Sequence, residues 1–537
     1  MASSRRLDRA GAGLALVRAV ECRFPIAANR FRAARAVVRR TDLRTGGSGE
    51  LARSSADGRT TGRGRGVWLF RHHCRRAGVA TGLVPTVTDG GSDVNTIDDV
   101  PTAPGRLPLV GHGISVLRRP LDFVTMLPPY GPIVRIFLGP RTAYVLTTPD
   151  LIRQVGLGEA GSFHRDELRD AIKELSTGAV NVLSGQAHEL RRRMIAPSFK
   201  QGRLAEYGVV AARLGNEWAQ SFHDGEMVNV VESAHDLVLR TISSTLFTAD
   251  FSSNAHDDIQ SSIPWLLNEV IRRASLPPGV RPVRVLANRK FVKRSRQLRA
   301  SIGDVVSEYR KSGADYNDML SAFIAHVDPE TGTRLSDNDI VDELILILGA
   351  GVGSEASMFA WLVHEVVTHP EVAQRLYAEL DTVVPDKTIG PEHVGQLVYF
   401  RQVLQETLRF WAPWVSMLTA AGDVTVGGLT LPDGAIIVFS PYMIQHDERY
   451  FPNAASFDPD RWGPDRVSEI DKRHSLPFGV GERRCPGNHF AMLAITLQAG
   501  AFLARWRPVP DPDYRVKPTN RDFTASPSKL PVRLHAR

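Results

Sequence analysis

The sequence predicts a mainly α-helical protein with small β-sheets, and three observations support this fold class. Long stretches carry apolar residues three and four positions apart, which is the spacing of an amphipathic helix. Only two short regions alternate apolar and polar residues between turn residues, as strands do. The chain contains no internal repeat, and 43% of its 537 residues are hydrophobic, which is enough for one large core.

Residues 1–95 form an Arg-rich head that we expect to be poorly ordered. Residues 1–80 hold 18 Arg, no Lys and five acidic residues, whereas the net charge of the whole chain is only +8. Three origins stay open for this head. It resembles an organelle transit peptide, it could be a tail that binds nucleic acid or membrane, or it is upstream sequence read from a start codon placed too early.

The body that follows carries a slight negative charge and one cysteine. Residues 81–537 hold 48 basic and 53 acidic residues, which gives no reason to expect a nucleic-acid partner. Cys22 and Cys74 lie in the head, so Cys485 has no partner for an internal disulfide in the body, which fits a reducing compartment. The chain has no run of about 18 uncharged apolar residues, so we expect no membrane span.

Order is expected to begin near Pro101. Residues 130–149, YGPIVRIFLGPRTAYVLTTP, alternate apolar residues around a Gly-Pro break and predict a β-hairpin. Helices should dominate after that point, and Pro197 should end one of them. Ser336 and Asp339 form a plausible N-cap pair for a long helix that reaches His369.

The last third of the body is also predicted to contain helices and a short strand region. Residues 370–383 and 396–410 predict two helices from their apolar spacing. A short strand region follows at residues 423–441, with turns at Gly427-Gly428 and Asp433-Gly434. A loop then leads to a final helix that should begin after Cys485.

The most informative segment surrounds that cysteine. Residues 476–493 read LPFGVGERRCPGNHFAML, with glycines at positions 479, 481 and 487. Glycine lets a flat cofactor approach the backbone, and backbone N–H groups at a helix N-terminus keep a sulfur ionised. Phe478 can shield the sulfur from water, and Arg483 can pair with an acidic group of the cofactor. This combination points to Cys485 as the thiolate ligand of an iron.

These residues resemble the signature of the cytochromes P-450, Phe-x-x-Gly-x-Arg-x-Cys-x-Gly. The segment FGVGERRCPG matches every fixed position, at Phe478, Gly481, Arg483, Cys485 and Gly487. The resemblance covers residues 100–537 and implies the mostly α-helical haem domain of that family. It also implies haem b (iron protoporphyrin IX) as the cofactor, with a Cys485 thiolate that pushes electron density onto the iron and favours O–O cleavage.

Three charged residues resemble a structural triad of the same family. Glu406 and Arg409 lie three apart in QETLRF and therefore share a helix face. Such a pair means little by itself, since on a surface it contributes about 0.3–0.5 kcal/mol. In the family the Arg of a later motif joins the pair beneath the haem, and Arg461 in FDPDRW holds that position. The resemblance implies that the three serve structure rather than chemistry.

Two basic residues and one missing arginine concern the haem propionates. Residues 185–199, GQAHELRRRMIAPSF, resemble the family's helix that contacts one propionate, with His188 and Arg192 four apart on one face. The alternative is a solvated basic helix face. The family also usually has an Arg five residues before the Asp of the next strand, but counting back from Asp423 gives Leu418. We therefore expect this partner to be absent or to be supplied elsewhere.

Residues 343–370, ELILILGAGVGSEASMFAWLVHEVVTHP, form the predicted long helix. Their glycines imitate a dinucleotide-binding turn, but the third glycine position holds Ser354 and no second strand follows closely. The segment resembles the family's oxygen-binding helix instead. In that helix the small pair Ala350-Gly351 would let O2 sit against the backbone.

This helix departs from the family where an acid and a Thr usually stand. Gly353 and Ser354 occupy those two positions. The Ser keeps a hydroxyl that can steady bound oxygen and pass a proton, but the Gly offers no carboxylate. Glu355 comes one residue late, about 100° around the helix, and so cannot simply replace the acid.

The resemblance implies a monooxygenase that inserts one atom of O2 into an apolar small molecule, such as a terpenoid, steroid, fatty acid or polyketide. No room remains for a flavin or iron–sulfur domain, so electrons should come from a separate ferredoxin and ferredoxin reductase. We expect a cytoplasmic monomer, or a mitochondrial protein if the head is a transit peptide. Substrate contacts are expected from the segment before Gly185 and from Leu346, Ala350, Val415, Met417, Phe523 and Thr524.

Two other functions stay open from the sequence. The altered oxygen-binding helix would fit a changed chemistry, such as peroxide-driven turnover, desaturation or C–C coupling. A haem-based sensor is the other class, but sensors usually carry an output domain, and the sequence shows no sign of one.

Overall fold

The predicted hairpin follows two short α-helices near the start of the described residues. In the computed structural model, β1 (Ile133–Leu138) and β2 (Arg141–Leu146) pair antiparallel. Gly139 has a φ of 66°, which lets the chain turn between the two strands. The structure describes residues 96–158, 161–248, part of 259–273, 285–519 and 524–537, so the predicted head of residues 1–95 lies outside the described residues.

Helices make up most of the described residues, as the sequence predicts. They are α1 (Gly113–Arg118), α2 (Pro120–Thr125), α3 (Pro149–Gly156), α4 (Asp166–Ile172), α5 (Gly185–Ile195), α6 (Gln201–Gln220), α7 (Val230–Leu246), α8 (Val285–Ser312), α9 (Met319–Ala325), α10 (Asp337–Thr368), α11 (Pro370–Val383), α12 (Val398–Phe410), α13 (Pro441–Gln445) and α14 (Asn488–Arg505). Helix α5 ends two residues before Pro197, because Pro lacks the N–H that would continue the helix.

The remaining strands are short. They are β3 (Phe163–His164), β4 (Met227–Asn229), β5 (Ser416–Ala420), β6 (Val424–Val426), β7 (Leu429–Leu431), β8 (Ile436–Phe439), β9 (Trp506–Pro510) and β10 (Pro531–Ala536). One sheet has the order β1-β2-β8-β5-β3, in which only β2 and β8 run parallel. The other sheets have the orders β4-β10-β9 and β6-β7, and Gly427-Gly428 turns the latter with positive φ at both residues.

Helix α10 is the central element of the helical core. Its N-terminus has the predicted capping box: the Ser336 hydroxyl accepts the Asp339 N–H at 3.2 Å, and the Asp339 carboxylate accepts the Ser336 N–H at 3.1 Å. Its 32 residues span about 48 Å. Within the described residues it is the one helix long and apolar enough to cross a bilayer, but most of it is buried inside the protein, as in a core helix.

Packing around α10 positions the site. Helices α7, α8 and α14 pack against it, and α6 packs against α14. The five-stranded sheet has its own apolar core, separate from the helical one. The loop that leads into α14 contacts α3 at residues 481–483, so the predicted cysteine loop is joined to both parts of the body.

Candidate functional site

Most of the predicted site residues surround one cavity of about 1820 Å³. Its mainly apolar wall includes Ala350, Gly351, Gly353 and Ser354 of α10, His188 and Arg192 of α5, and Phe478, Arg483, Cys485 and Gly487 of the loop before α14. Ligand pockets usually measure about 300–1,000 Å³. The cavity therefore has room for a large flat cofactor together with a substrate.

The cysteine loop holds Cys485 at the wall of this cavity. The Cys485 N–H donates to the Phe478 carbonyl at 2.9 Å, which closes the loop, and the cysteine side chain is exposed. Burial of the loop raises the pKa of the Cys485 thiol, while the Gly487 N–H and the guanidinium groups of Arg192 and Arg484 act to lower it. These donors favour a thiolate, and coordination to a metal ion would complete the deprotonation.

Gly481 is the one member of the signature that does not line the cavity. Its φ is 67°, and a Cβ there would lie 1.7 Å from the Gly156 carbonyl oxygen at the end of α3. From the sequence, the loop glycines are expected to let a cofactor approach the backbone. At position 481 the reason is instead the close approach of two segments of backbone.

We expect Gly481→Ala to loosen the cysteine loop and to weaken cofactor retention. The added methyl group meets a carbonyl oxygen of the backbone, which cannot rotate away as a side chain can. Gly422→Ala is the matched control, because Gly422 also has positive φ but no atom within 4 Å of the added Cβ. The control should lose about 1–2 kcal/mol from backbone conformation alone, and equal losses of thermal stability and bound cofactor in both variants would contradict this account.

Four basic side chains line the cavity: Arg165, His188, Arg192 and Arg483. Arg483 donates through Nη2 to the carbonyls of Phe163 at 3.2 Å and Leu183 at 3.0 Å. Burial, followed by the charges of Arg483, Arg192 and Arg165, lowers the pKa of His188 to about 4.

Among the described residues, no carboxylate forms an ion pair with any of these four side chains. Buried cations without counter-ions are costly and normally mark the place of an anion. Haem, with two propionates at one edge and an iron that needs a thiolate, therefore fits this set of residues.

Sequence reasoning missed one of these four side chains, Arg165, which lies between β3 and α4. Its Nε is buried without a hydrogen-bond partner, and burial, with a smaller effect of Arg483, lowers its pKa to about 10. No local motif marks it, because the groups around it come from distant parts of the chain. Only the paired strands and the folded cysteine loop reveal its surroundings.

The predicted structural triad lies away from the cavity wall and is fully buried. Arg409 makes a bidentate contact with Glu406, at 2.9 Å from Nε to Oε2 and 2.8 Å from Nη2 to Oε1. Arg461 Nε lies 3.4 Å from Glu406 Oε1. The Trp462 indole and the Asp458 N–H also donate to the same carboxylate, at 2.8 and 2.9 Å. Every hydrogen-bond partner of Glu406 is thus a donor.

On α10, the glycines Gly351 and Gly353 have different surroundings. A Cβ at Gly351 would lie 2.7 Å from Ile242 of α7, so this glycine also permits close helix packing. A Cβ at Gly353 would meet nothing within 4 Å. The Ser354 hydroxyl donates to the Ala350 carbonyl at 2.7 Å.

Glu355 is the acid closest to Ser354 in the sequence. It is buried, its Oε1 has no hydrogen-bond partner, and burial alone raises its pKa to about 8. At neutral pH this side chain is therefore mainly a neutral carboxylic acid, not the ionised acid of the usual pair.

The predicted substrate contacts are also mostly at the cavity. Leu346, Val415, Met417 and Thr524 line it, as do Val180 and Asn181 of the segment before Gly185. Phe523 lies outside the described residues.

Comparisons with known proteins agree with this geometry. The family model described as Cytochrome P450, here written P-450, matches residues 101–533. Pentalenene oxygenase of Streptomyces avermitilis is 32% identical over 437 residues, which cover 81% of this chain and 97% of that protein. Cyclooctat-9-en-7-ol 5-monooxygenase of Streptomyces melanosporofaciens is 33% identical over 413 residues, which cover 76% of this chain and 90% of that protein.

A solved structure supports the fold. The haem domain of another cytochrome P-450 superposes with a TM-score of 0.72 at 22% identity, and the match covers 82% of this chain and 98% of that one. The family match spans nearly the whole body, and the two Streptomyces proteins are matched over most of their length. The chain therefore belongs to the cytochrome P-450 family, and it is an oxidoreductase of the monooxygenase type with a haem-thiolate cofactor.

Proposed function

We propose that this chain is a haem b monooxygenase that oxygenates a terpenoid, with Cys485 as the iron ligand and electrons from a ferredoxin. One observation supports this most strongly. The Cys485 side chain is exposed at the wall of a large apolar cavity that also holds three charged arginines and one neutral histidine, none of which forms an ion pair with a carboxylate among the described residues.

The proposed roles divide the cavity between its two faces. Cys485 would ligate the iron, Phe478 would exclude water from the sulfur, and Arg483, Arg192 and His188 would hold the propionates. Bound there, haem supplies the activation of O2. The apolar wall near Leu346, Val415 and Met417 would orient a hydrocarbon towards the opposite face.

On that opposite face, the Ser354 hydroxyl would relay a proton from water. Its own proton is engaged with the Ala350 carbonyl at 2.7 Å, so the lone pairs of Oγ remain free to accept a hydrogen bond from water in the cavity. Rotation about χ1 would release the proton towards that water. Gly353 leaves open space beside it, which a water molecule can use in place of the missing acid.

We expect Ser354→Ala to lower the yield of product per O2 consumed by several-fold while O2 consumption continues, because proton delivery then depends on unanchored water. Ser357→Ala is the matched control, since Ser357 makes the same bond to the carbonyl four residues earlier, at 2.7 Å to Gly353. Product and O2 should be measured together in the presence of an electron source. An unchanged ratio in Ser354→Ala would exclude this role.

A changed chemistry is the second candidate, and Gly353 is the observation that favours it, since the usual acid is missing. Product formation with hydrogen peroxide and no reductase, at a rate matching the O2-driven reaction, would favour this candidate. A reaction that strictly requires O2 and an electron donor would favour the monooxygenase.

The terpenoid substrate is proposed from relatives. Pentalenene oxygenase and cyclooctat-9-en-7-ol 5-monooxygenase act, by their names, on terpenoids, and each shares about a third of its residues with this chain. A panel of terpenoids, steroids, fatty acids and polyketides tests the proposal through the spin-state shift of the ferric haem on binding. The largest shifts should come from cyclic terpenoids, and a preference for fatty acids would overturn this part.

The central test is the optical spectrum of the reduced protein with carbon monoxide. A strongly red-shifted Soret band requires a thiolate ligand, and a band without that shift would contradict the proposal. We further propose a cytoplasmic monomer that pairs with a ferredoxin and its reductase. Gel filtration tests the monomeric state, reconstitution with a ferredoxin pair tests the redox partner, and cell fractionation tests the location.

A further inference from the structure

A short strand pair lies beside the cavity. Strand β3 runs antiparallel to β5, with Phe163 opposite Ala420 and His164 opposite Thr419. One further step along this register brings Arg165 opposite Leu418. Position 418 is where the family resemblance leads one to expect an arginine, and here it carries a buried leucine.

The surroundings of Arg165 fit a site that binds an anion. It lines the same cavity as Cys485, His188, Arg192 and Arg483. Its Nε has no hydrogen-bond partner, and its strongest charged influence is another cation, Arg483.

The cysteine loop is tied to the same strand. Arg483 Nη2 donates to the carbonyl of Phe163, two residues before Arg165, at 3.2 Å. Arg165, directly after β3, is therefore held near the cation of the cysteine loop, and the charge of Arg483 acts on it. Among the described residues neither arginine forms an ion pair with a carboxylate, although the charge of Glu482 acts on Arg483, so both are suited to the same dianionic edge of a ligand.

We propose that Arg165 binds a haem propionate in place of the arginine that this chain lacks at position 418. The cation would thus come from the residue directly after β3 instead of from β5, across one antiparallel strand pair, and would reach the same edge of the cofactor. This inference rests on the proposed haem site.

The proposal predicts opposite effects on the protein with and without haem. Without haem, Arg165 repels the neighbouring cations, so Arg165→Leu should leave the haem-free protein as stable as before or more stable. With haem, the same change removes one charge-assisted hydrogen bond to a propionate, so the rate of haem loss should rise about tenfold. A purely structural role would weaken both forms alike.

The experiment measures haem transfer from the purified holoenzyme to an excess of a haem-binding acceptor protein. Arg165→Leu should lose haem about tenfold faster, and Arg165→Lys should lie between it and the wild type, because lysine keeps the charge without the bidentate geometry. Arg169→Leu is the control. Arg169 lies one helical turn later in an exposed pair with Asp166, and its loss should leave the rate unchanged.

A second-site variant tests the exchange between strands directly. Arg165→Leu combined with Leu418→Arg restores the arrangement expected from the family, and haem loss should return to within a few-fold of the wild-type rate. The reduction potential of the haem in Arg165→Leu is an independent measure, which can be used even if the double variant folds poorly. It should fall in Arg165→Leu, since removing a nearby positive charge favours the ferric state.

The outcomes separate the two proposals. If the wild type binds no haem, the proposed function fails and this inference fails with it. If the wild type retains haem and Arg165→Leu retains it equally well, at an unchanged reduction potential, only the role of Arg165 is excluded.

Discussion

Replacing Cys485 with serine is expected to remove the red-shifted Soret band of the reduced carbon monoxide complex and to abolish oxygenation. A serine hydroxyl does not ionise at neutral pH, so it cannot donate the electron density of a thiolate to the iron. Activity should fall by more than about 100-fold, because even groups that merely orient a metal ligand cost about 10–100-fold when removed.

The chain offers its own control for this substitution. Cys22→Ser and Cys74→Ser change cysteines of the head, which no argument connects to the cavity, and should leave the spectrum unchanged. All three variants should be compared at equal haem content, so that loss of cofactor is not mistaken for loss of ligation. A red-shifted band that persists in Cys485→Ser would assign the ligand to another residue.

Local sequence was sufficient where local chemistry determines the structure. The ends of α10 follow from Ser336, Asp339 and Pro370, because caps and prolines act on the nearest turn. The β1–β2 hairpin follows from alternation around Gly139. The cysteine loop combines several requirements within ten residues, and for that reason a short motif can carry so much information.

The sequence was insufficient where partners lie far apart along the chain. Strand β4 pairs with β10 across roughly 300 residues, with Val228 opposite Val532, and β4, with three residues, is too short to show a clear alternation. The same reason hides the environment of Arg165, which depends on a two-residue strand. Register between distant strands is set by the packed core, and a single sequence does not reveal it.

Gly481 was correctly predicted to matter for the cysteine loop, but the reason taken from the sequence was incomplete. Gly481 belongs to the signature motif, but its neighbour in the fold is the Gly156 carbonyl rather than the cavity. A motif therefore combines residues that contact the cofactor with residues that let the loop pack. Only the structure separates the two kinds, and the distinction decides which measurement each variant should affect.

Glu406→Gln, which removes a charge and keeps nearly the same size and shape, is expected to cause a large loss of stability. The substitution leaves Arg409 and Arg461 buried without their shared counter-ion, which costs about 3–5 kcal/mol of unfolding free energy. The new amide also carries an NH2 group, whereas every hydrogen-bond partner of the Glu406 carboxylate is a donor. One N–H of the glutamine must therefore face another N–H.

The loss should appear as poor retention of haem and a lower thermal midpoint, without a change in the position of the Soret band in the molecules that remain folded. Glu217→Gln is the matched control, since it makes the same chemical change in a half-exposed pair with Arg213 at 3.0 Å. That control should change stability by less than about 0.5 kcal/mol. If both variants were equally stable, the triad could not be a buried ion pair that the fold depends on. A loss in Glu406→Gln accompanied by an altered Soret band would instead mean that the triad acts on the ligand of the iron.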